Sequence, residues 1–310
     1  MTEHDRTQSI GASDAAAAIG ASPWKSQFQL WSEKTGLAQP PNLDEKEAVY
    51  WGKALEASII NAFANRTGRH TFALSPSEPT RHPDNLFMTA TPDAIQESDD
   101  RKGDGVLEVK NAGYWAGKNW PQHSMFDPED AATYRSPELP TEPPLHYQVQ
   151  VQHQLACTGL TWGTLCALVG GQKLIWFDVE RNQRFIDSMI AKEAFFWTQV
   201  IDKIPPEPDG SIATTDVLKL LYPKDDGQII SLPEDAAKWD DLLQRTKASI
   251  KTAEQTKCEC ENWIKAAIGN ATTGVLPDGS MYTFKQQIVN HKAKEAWRNE
   301  FRVLRRKAVK

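Results

Sequence analysis

Two short segments carry residue types suited to metal-assisted phosphodiester hydrolysis: Thr91-Pro92-Asp93 and, across a polar stretch, Glu108-Val109-Lys110. Alternate residues of a strand point to one side, so Glu108 and Lys110 share a face while Leu107 and Val109 turn to a core. Two carboxylates and an ammonium gathered at a hairpin can hold a hard divalent cation and steer a water. An acidic residue two before a lysine is common by composition. Asp44-Glu45-Lys46 shows the same spacing in a charged loop with no apolar partners. Strand alternation around Val106 to Lys110, and an upstream strand ending at Pro92-Asp93, set the second occurrence apart. On the residues alone, a metal-dependent nuclease and a chance recurrence of the pattern both remain open.

Further side chains have the chemistry to join such a site. Glu56 follows Trp51-Gly52-Lys53 in the first turns of a helix on which Leu55, Ile59, Ile60 and Phe63 recur until Gly68. It faces either solvent or the hairpin through a water. Tyr147 and Gln150 share one face of a glutamine-rich helix over 145–157 with Gln154, while Val151 and Leu155 mark another. A glutamine buried there needs partners such as metal-bound water or phosphate oxygens. Ser13, after Gly11-Ala12, suits a helix cap or an anion site at a helix start.

The elements that position these residues follow from periodicity and turn signals. Helices are expected over 13–20, 22–36, 55–68, 145–157 and 182–201, and strands over 71–74, 86–95 with a break at Pro92, 106–110, 163–169 and 173–179. Residues 114–144, rich in Trp, Pro and acidic side chains, read as an irregular excursion over the site. Pro205-Pro206-Glu207-Pro208-Asp209-Gly210 marks the strongest boundary. Beyond it, 234–268 reads as a long amphipathic helix whose stripe of Trp239, Leu242, Leu243, Ile250 and Trp263 is a packing surface. A small β element is expected over 274–287 with a Pro277-Asp278-Gly279 turn, and again at 301–304. The resulting division is a domain over 1–205, a linker over 206–233 and a C-terminal helical and β extension over 234–310.

Composition bounds the rest. With 310 residues and 40% hydrophobic content the chain can bury a full core. No run of eighteen apolar residues exists and the first residues are polar, so the expectation is a cytoplasmic protein with no membrane partner. The four cysteines are too few and too irregular for a disulfide framework or zinc knot, and the seven histidines show no ligand spacing. No phosphate-cradling Gly-x-x-x-x-Gly-Lys-Ser/Thr and no Gly-x-Ser-x-Gly elbow occur. A net charge of -6 does not advertise a nucleic-acid binder, although residues 298–310 hold six basic side chains against one glutamate.

Taken in order, Gly11-Ala12-Ser13-Asp14, Ser22-Pro23-Trp24, Trp31-x-x-Lys34-Thr35-Gly36, Trp51-Gly52-Lys53-x-x-Glu56, Thr91-Pro92-Asp93, Leu107-Glu108-Val109-Lys110 and Tyr147-x-x-Gln150-x-Gln152 resemble the YqaJ viral recombinase family. That family belongs to the PD-(D/E)xK nuclease superfamily, and the resemblance spans roughly residues 6–200. It implies an α/β (α+β) fold with a restriction-endonuclease-like core, a central mixed β-sheet flanked by helices, here followed by the long C-terminal helix and small β element. It implies a phage or prophage alkaline exonuclease that resects double-stranded DNA ends from the 5′ terminus, leaving a 3′ overhang for a single-strand annealing protein. Carried over, Asp93 and Glu108 are magnesium ligands with the Val109 carbonyl, manganese being a possible substitute, and Lys110 positions or activates the attacking water. Glu56 and Gln150 complete the shell with Tyr147 beside them, and Arg6, Ser13 and Thr91 match a pocket for the 5′ phosphate. The resemblance also implies a homotrimer. An endonuclease with the same site and a non-catalytic DNA-end-binding subunit are the competing readings.

Overall fold

A computed structural model describes residues 6–40, 45–73, 79–113, 116–120 and 142–286. The chain forms two compact units, residues 1–223 and 224–310.

The first unit is built on a five-stranded mixed sheet in the order β2-β5-β6-β7-β8, formed by β2 (His70–Ala73), β5 (Ala94–Glu97), β6 (Gly105–Ala112), β7 (Trp162–Val169) and β8 (Lys173–Glu180). Its neighbours pair antiparallel except for β6 and β7, which run parallel with Glu108 opposite Leu165. A parallel pair requires a crossover, and here the crossover contains helix α4 (Leu145–Thr158). Both faces of β6 are therefore covered. Leu107 and Val109 enter a core with Ile59, Ile60 and Phe63 of α3 (Glu47–Thr67). Val106 on the opposite face packs in a second core with Val149, Val151 and Leu155 of α4.

Two glycines make this geometry possible. Gly68 closes α3 at φ 73°, a left-handed cap that other residues adopt at a cost. At Gly163 a Cβ would stand 2.4 Å from Val106 Cγ2 and 3.2 Å from Val151 Cγ1, so its missing side chain lets α4 lie close on β6 and β7.

A smaller sheet, β1 (Ile10–Gly11), β4 (Met88–Ala90) and β3 (Thr80–Arg81), joins the N-terminus to the site region. β1 runs parallel to β4, and the Ser9 and Thr89 hydroxyls meet at 3.0 Å. Helix α1 (Ala12–Ala18) starts directly from β1. Its N-cap is Gly11 in extended backbone, and Ser13 is an exposed residue within the first turn, not the cap expected. Helix α2 (Gln27–Lys34) is capped by Ser26, which accepts from the Gln29 N–H. Its Leu30 and Trp31 pack with α1 and with Phe196 and Val200 of α5 (Gln183–Ile201).

The stretch 206–233 contains helix α6 (Ile212–Leu221), capped by Ser211. It belongs to the first unit, where the Thr214 hydroxyl meets that of Ser26 at 2.8 Å. The Pro-rich signal at 205–210 is thus an irregular connection inside the unit, and the division falls after Pro223.

The second unit consists of α7 (Ala236–Ile268) and an antiparallel hairpin of β9 (Thr273–Val275) and β10 (Met281–Thr283). No residue of α7 is buried, and Trp239 and Trp263 stay 67% and 73% exposed. The stripe read as a packing surface is not packed within this unit among the described residues. The strand expected at 301–304 lies outside the described residues.

One buried ion pair fastens α4 to its surroundings. His153, fully buried, meets Glu193 of α5 through Nδ1 at 3.0 Å and the Thr89 carbonyl through Nε2 at 3.1 Å. Burial alone would lower the histidine pKa, but the Glu193 carboxylate and the Cys157 thiol raise it well above 6.5. A group raised on folding contributes stability that is fully present below its unfolded value and is lost as pH rises through the folded one. His153→Gln is expected to lower unfolding free energy by about 3 kcal/mol in mildly acidic solution, because it strands a buried carboxylate. The gap should narrow in alkaline solution, as denaturant unfolding across that range will show; a gap independent of pH means that His153 is neutral in the folded protein.

Candidate active site

The site forms where β5 begins beside the middle of β6 and α4 crosses them. Pro92 has no N–H to continue a ladder, so the chain leaves the small sheet at Ala90 and enters the large one at Ala94. Asp93 therefore stands immediately before β5, where the sequence suggested that it ends a strand. Its Oδ2 accepts the Val109 N–H at 2.7 Å, which ties the first carboxylate to the backbone of the second segment.

Glu108 is 2% exposed and turns to the α4 side of β6. Lys110, two residues on and on the same face, donates to its Oε1. Gln150 Nε2 donates to the same oxygen at 2.6 Å, and Gln154 Nε2 to Oε2 at 2.5 Å. Helical spacing of four stacks these two amides over the strand. The Lys110 ammonium also lies over the Tyr147 ring, 5.3 Å from its centroid.

Electrostatics bind the group together. Burial works against the charge on Lys110, but Glu108 and Asp93 outweigh it and raise the lysine above 10.5. Asp93 is pushed up to about 8, first by burial and then by the Glu108 charge, with Lys110 and the Val109 N–H pulling the other way. Glu56 on α3 is raised by burial and by Glu108, and lowered by Lys110, so it lies within reach of the same charges.

The structure thus brings together Glu56, Asp93, Glu108, Lys110, Tyr147 and Gln150. Ser13 and Thr91 are both exposed, at the ends of the paired β1 and β4 segments. Arg6 starts a short 3-10 turn (Arg6–Gln8), and its side chain lies outside the described residues. Of the irregular excursion, residues 121–141 lie outside as well, but Trp120 is described. It is 2% exposed and stacks on Tyr147 with centroids 5.3 Å apart. His146 packs against the same Tyr147 ring with centroids 4.0 Å apart, its pKa lowered by burial and Lys110. Sequence reasoning assigned neither residue to the site. For His146 the only signal is its place beside Tyr147, and for Trp120 there is no periodicity to find it.

The donors suit a hard cation. Among the described residues no three His, Cys, Asp or Glu side chains converge on one point, which leaves Asp93, Glu108 and backbone oxygen. Magnesium or manganese takes oxygen ligands, makes do with one or two carboxylates and keeps several waters, whereas structural zinc wants four nitrogen or sulfur donors. Burial, and after it the charge of Glu108, push Asp93 far above its ordinary value, and a divalent cation would relieve the repulsion between the two carboxylates.

A family model described as the YqaJ-like viral recombinase domain matches residues 3–161, a span that includes every residue of the carboxylate, lysine and glutamine cluster. Protein YqaJ of Bacillus subtilis (strain 168) is 30% identical over 278 residues, covering 88% of this chain and 79% of that relative. Among solved structures, the alkaline exonuclease LHK-Exo from Laribacter hongkongensis is similar at 19% identity, covering 64% of this chain and 91% of that one with a TM-score of 0.47. A phage-related exonuclease from Haemophilus somnus 129PT is similar at 12% identity, covering 63% and 96% with a TM-score of 0.42. By the family model and the Bacillus relative together, this chain belongs to the YqaJ-like viral recombinase family.

Proposed function

We propose that the protein is a divalent-metal-dependent exonuclease of linear double-stranded DNA. The observation that carries this reading is the Glu108 carboxylate, buried yet held by Lys110, Gln150 and Gln154, with Asp93 bound to the adjoining backbone. Asp93, Glu108 and the Val109 carbonyl would hold magnesium or manganese, which when bound supplies charge neutralisation at the scissile phosphate. The Lys110 ammonium, fixed between Glu108 and the Tyr147 face, adds positive charge where the phosphoryl oxygens gain negative charge, without any reorganisation at the moment of reaction. Gln150 and Glu56 position a water from the α4 and α3 sides respectively.

Polarity and partners extend the same reading. Digestion from the 5′ end would release 5′-mononucleotides and leave a 3′ overhang for a single-strand annealing protein. Ser13 and Thr91, exposed at neighbouring strand ends, together with Arg6 would clamp the terminal 5′ phosphate. The protein would act as a homotrimer in the bacterial cytoplasm.

End-labelled linear duplex with magnesium is expected to be digested to mononucleotides, whereas covalently closed circular DNA is expected to stay intact. Cleavage of the circle would instead favour an endonuclease. Asp93→Asn and Glu108→Gln should each lower the rate by about a hundredfold or more; full activity in both would remove the assignment. A gentler effect is expected of Thr91→Val and Ser13→Ala: the preference for 5′-phosphorylated over 5′-hydroxyl ends should fall, with little change on the phosphate-free substrate. An unchanged preference would dissociate these hydroxyls from the 5′ phosphate.

A further inference from the structure

Gln154 helps to hold Glu108, but the catalytic reading gives it no role toward the cation or the water. It is fully buried, one helical turn beyond Gln150 on α4, and its Nε2 gives Glu108 Oε2 a hydrogen bond of 2.5 Å. Its own carbonyl oxygen, Oε1, is buried with no hydrogen-bond partner among the described residues. A glutamine kept only to staple a helix to a sheet has no reason to hold its acceptor in that state, since an unsatisfied buried oxygen costs free energy.

The donors on Glu108 are distributed unevenly. A carboxylate offers about two lone-pair positions on each oxygen. Oε1 already receives Lys110 and Gln150, so both of its positions are filled. Oε2 receives Gln154 alone. One position therefore remains, on the oxygen whose orientation Gln154 sets. Turning the amide over would place Gln154 Oε1 against the carboxylate, so the repulsion between oxygens holds the donor end toward Glu108.

Resting on the metal-site reading above, we propose that Gln154 is a positioning residue that fixes the Glu108 carboxylate so that Oε2 is the oxygen presented to the divalent cation. The amide oxygen of Gln154 then faces the hydration shell of that cation and finds there the donor that the described residues do not provide. Groups that orient a ligating carboxylate in this way typically change metal affinity by about ten- to hundredfold when removed.

The test titrates Mn2+ into the full-length protein without DNA and follows free Mn2+ by electron paramagnetic resonance. Gln154→Met, close in volume, is expected to raise the Mn2+ dissociation constant by about ten- to hundredfold, and the metal concentration for half-maximal digestion should rise with it while the rate at saturating metal recovers. Gln152→Met serves as the control: Gln152 is a buried glutamine of the same helix that bonds only the Glu180 carbonyl and the Asn182 N–H. It should lower the melting temperature and leave Mn2+ affinity unchanged. If Gln154→Met does not fold, Gln154→Asn, which keeps the amide but falls a methylene short, is read in the same way. Wild-type affinity in the Gln154 variant alongside lost affinity in Glu108→Gln overturns this role and leaves the metal site standing. Wild-type affinity in Glu108→Gln as well overturns both.

Discussion

A carboxylate that is nearly sealed from water must be compensated in place or give up its charge. Glu108 is compensated by Lys110 from its own strand and by two amides from α4, and much of the first unit exists to bring those two elements together. The parallel pairing of β6 and β7 makes the chain cross over, the crossover supplies α4, and the absence of a side chain at Gly163 lets that helix settle on the sheet. On the far face, α3 seals Leu107 and Val109 into the core. Because β6 is fixed from both sides, its alternation assigns Glu108 and Lys110 to one face without ambiguity.

The surroundings of the site repeat this economy of placement. His153 lies between Gln150 and Gln154 in sequence but turns to the opposite partners, Glu193 and the Thr89 carbonyl. One helix thereby holds the carboxylate on one side and anchors itself to α5 and β4 on another. The Ser9 and Thr89 hydroxyls then tie the N-terminal segment to the same β4 strand. Asp93, three residues beyond that strand, inherits its position from this anchorage as well as from the Val109 N–H.

Much of this arrangement was legible in the sequence because local rules and tertiary packing agree. Gly68 ends α3 where a left-handed cap is needed, Gly159 ends α4 in the same conformation, and the apolar run of β7 is the buried strand that it looks like. The shared face of Tyr147, Gln150 and Gln154 follows from helical spacing alone. What local rules could not supply was the destination of each element. Pro92 marks a break whether a strand resumes or stops, so the sequence alone placed Asp93 at the wrong end of β5's neighbourhood. Ser13 satisfies cap chemistry, yet the β1 pairing starts the helix earlier, at Gly11. The 205–210 prolines resemble a domain boundary, but Thr214 anchors the following helix to Ser26. The apolar stripe of α7 has the pattern of a core with no core against it among the described residues.

The crossover between β6 and β7 has a consequence for the order in which the protein folds. Gln150 and Gln154 reach Glu108 from more than forty positions along the chain, so these bonds form only after a long loop has closed. Until then the carboxylate keeps its water, since burying it against Lys110 alone would leave Oε2 without a donor. The antiparallel β5 and β6 hairpin is local and can assemble early, whereas the site that it carries matures with the slow, non-local pairing of β6 to β7. A chain interrupted before α4 docks would hold the hairpin's acidic residues and its lysine without the geometry that makes them a site.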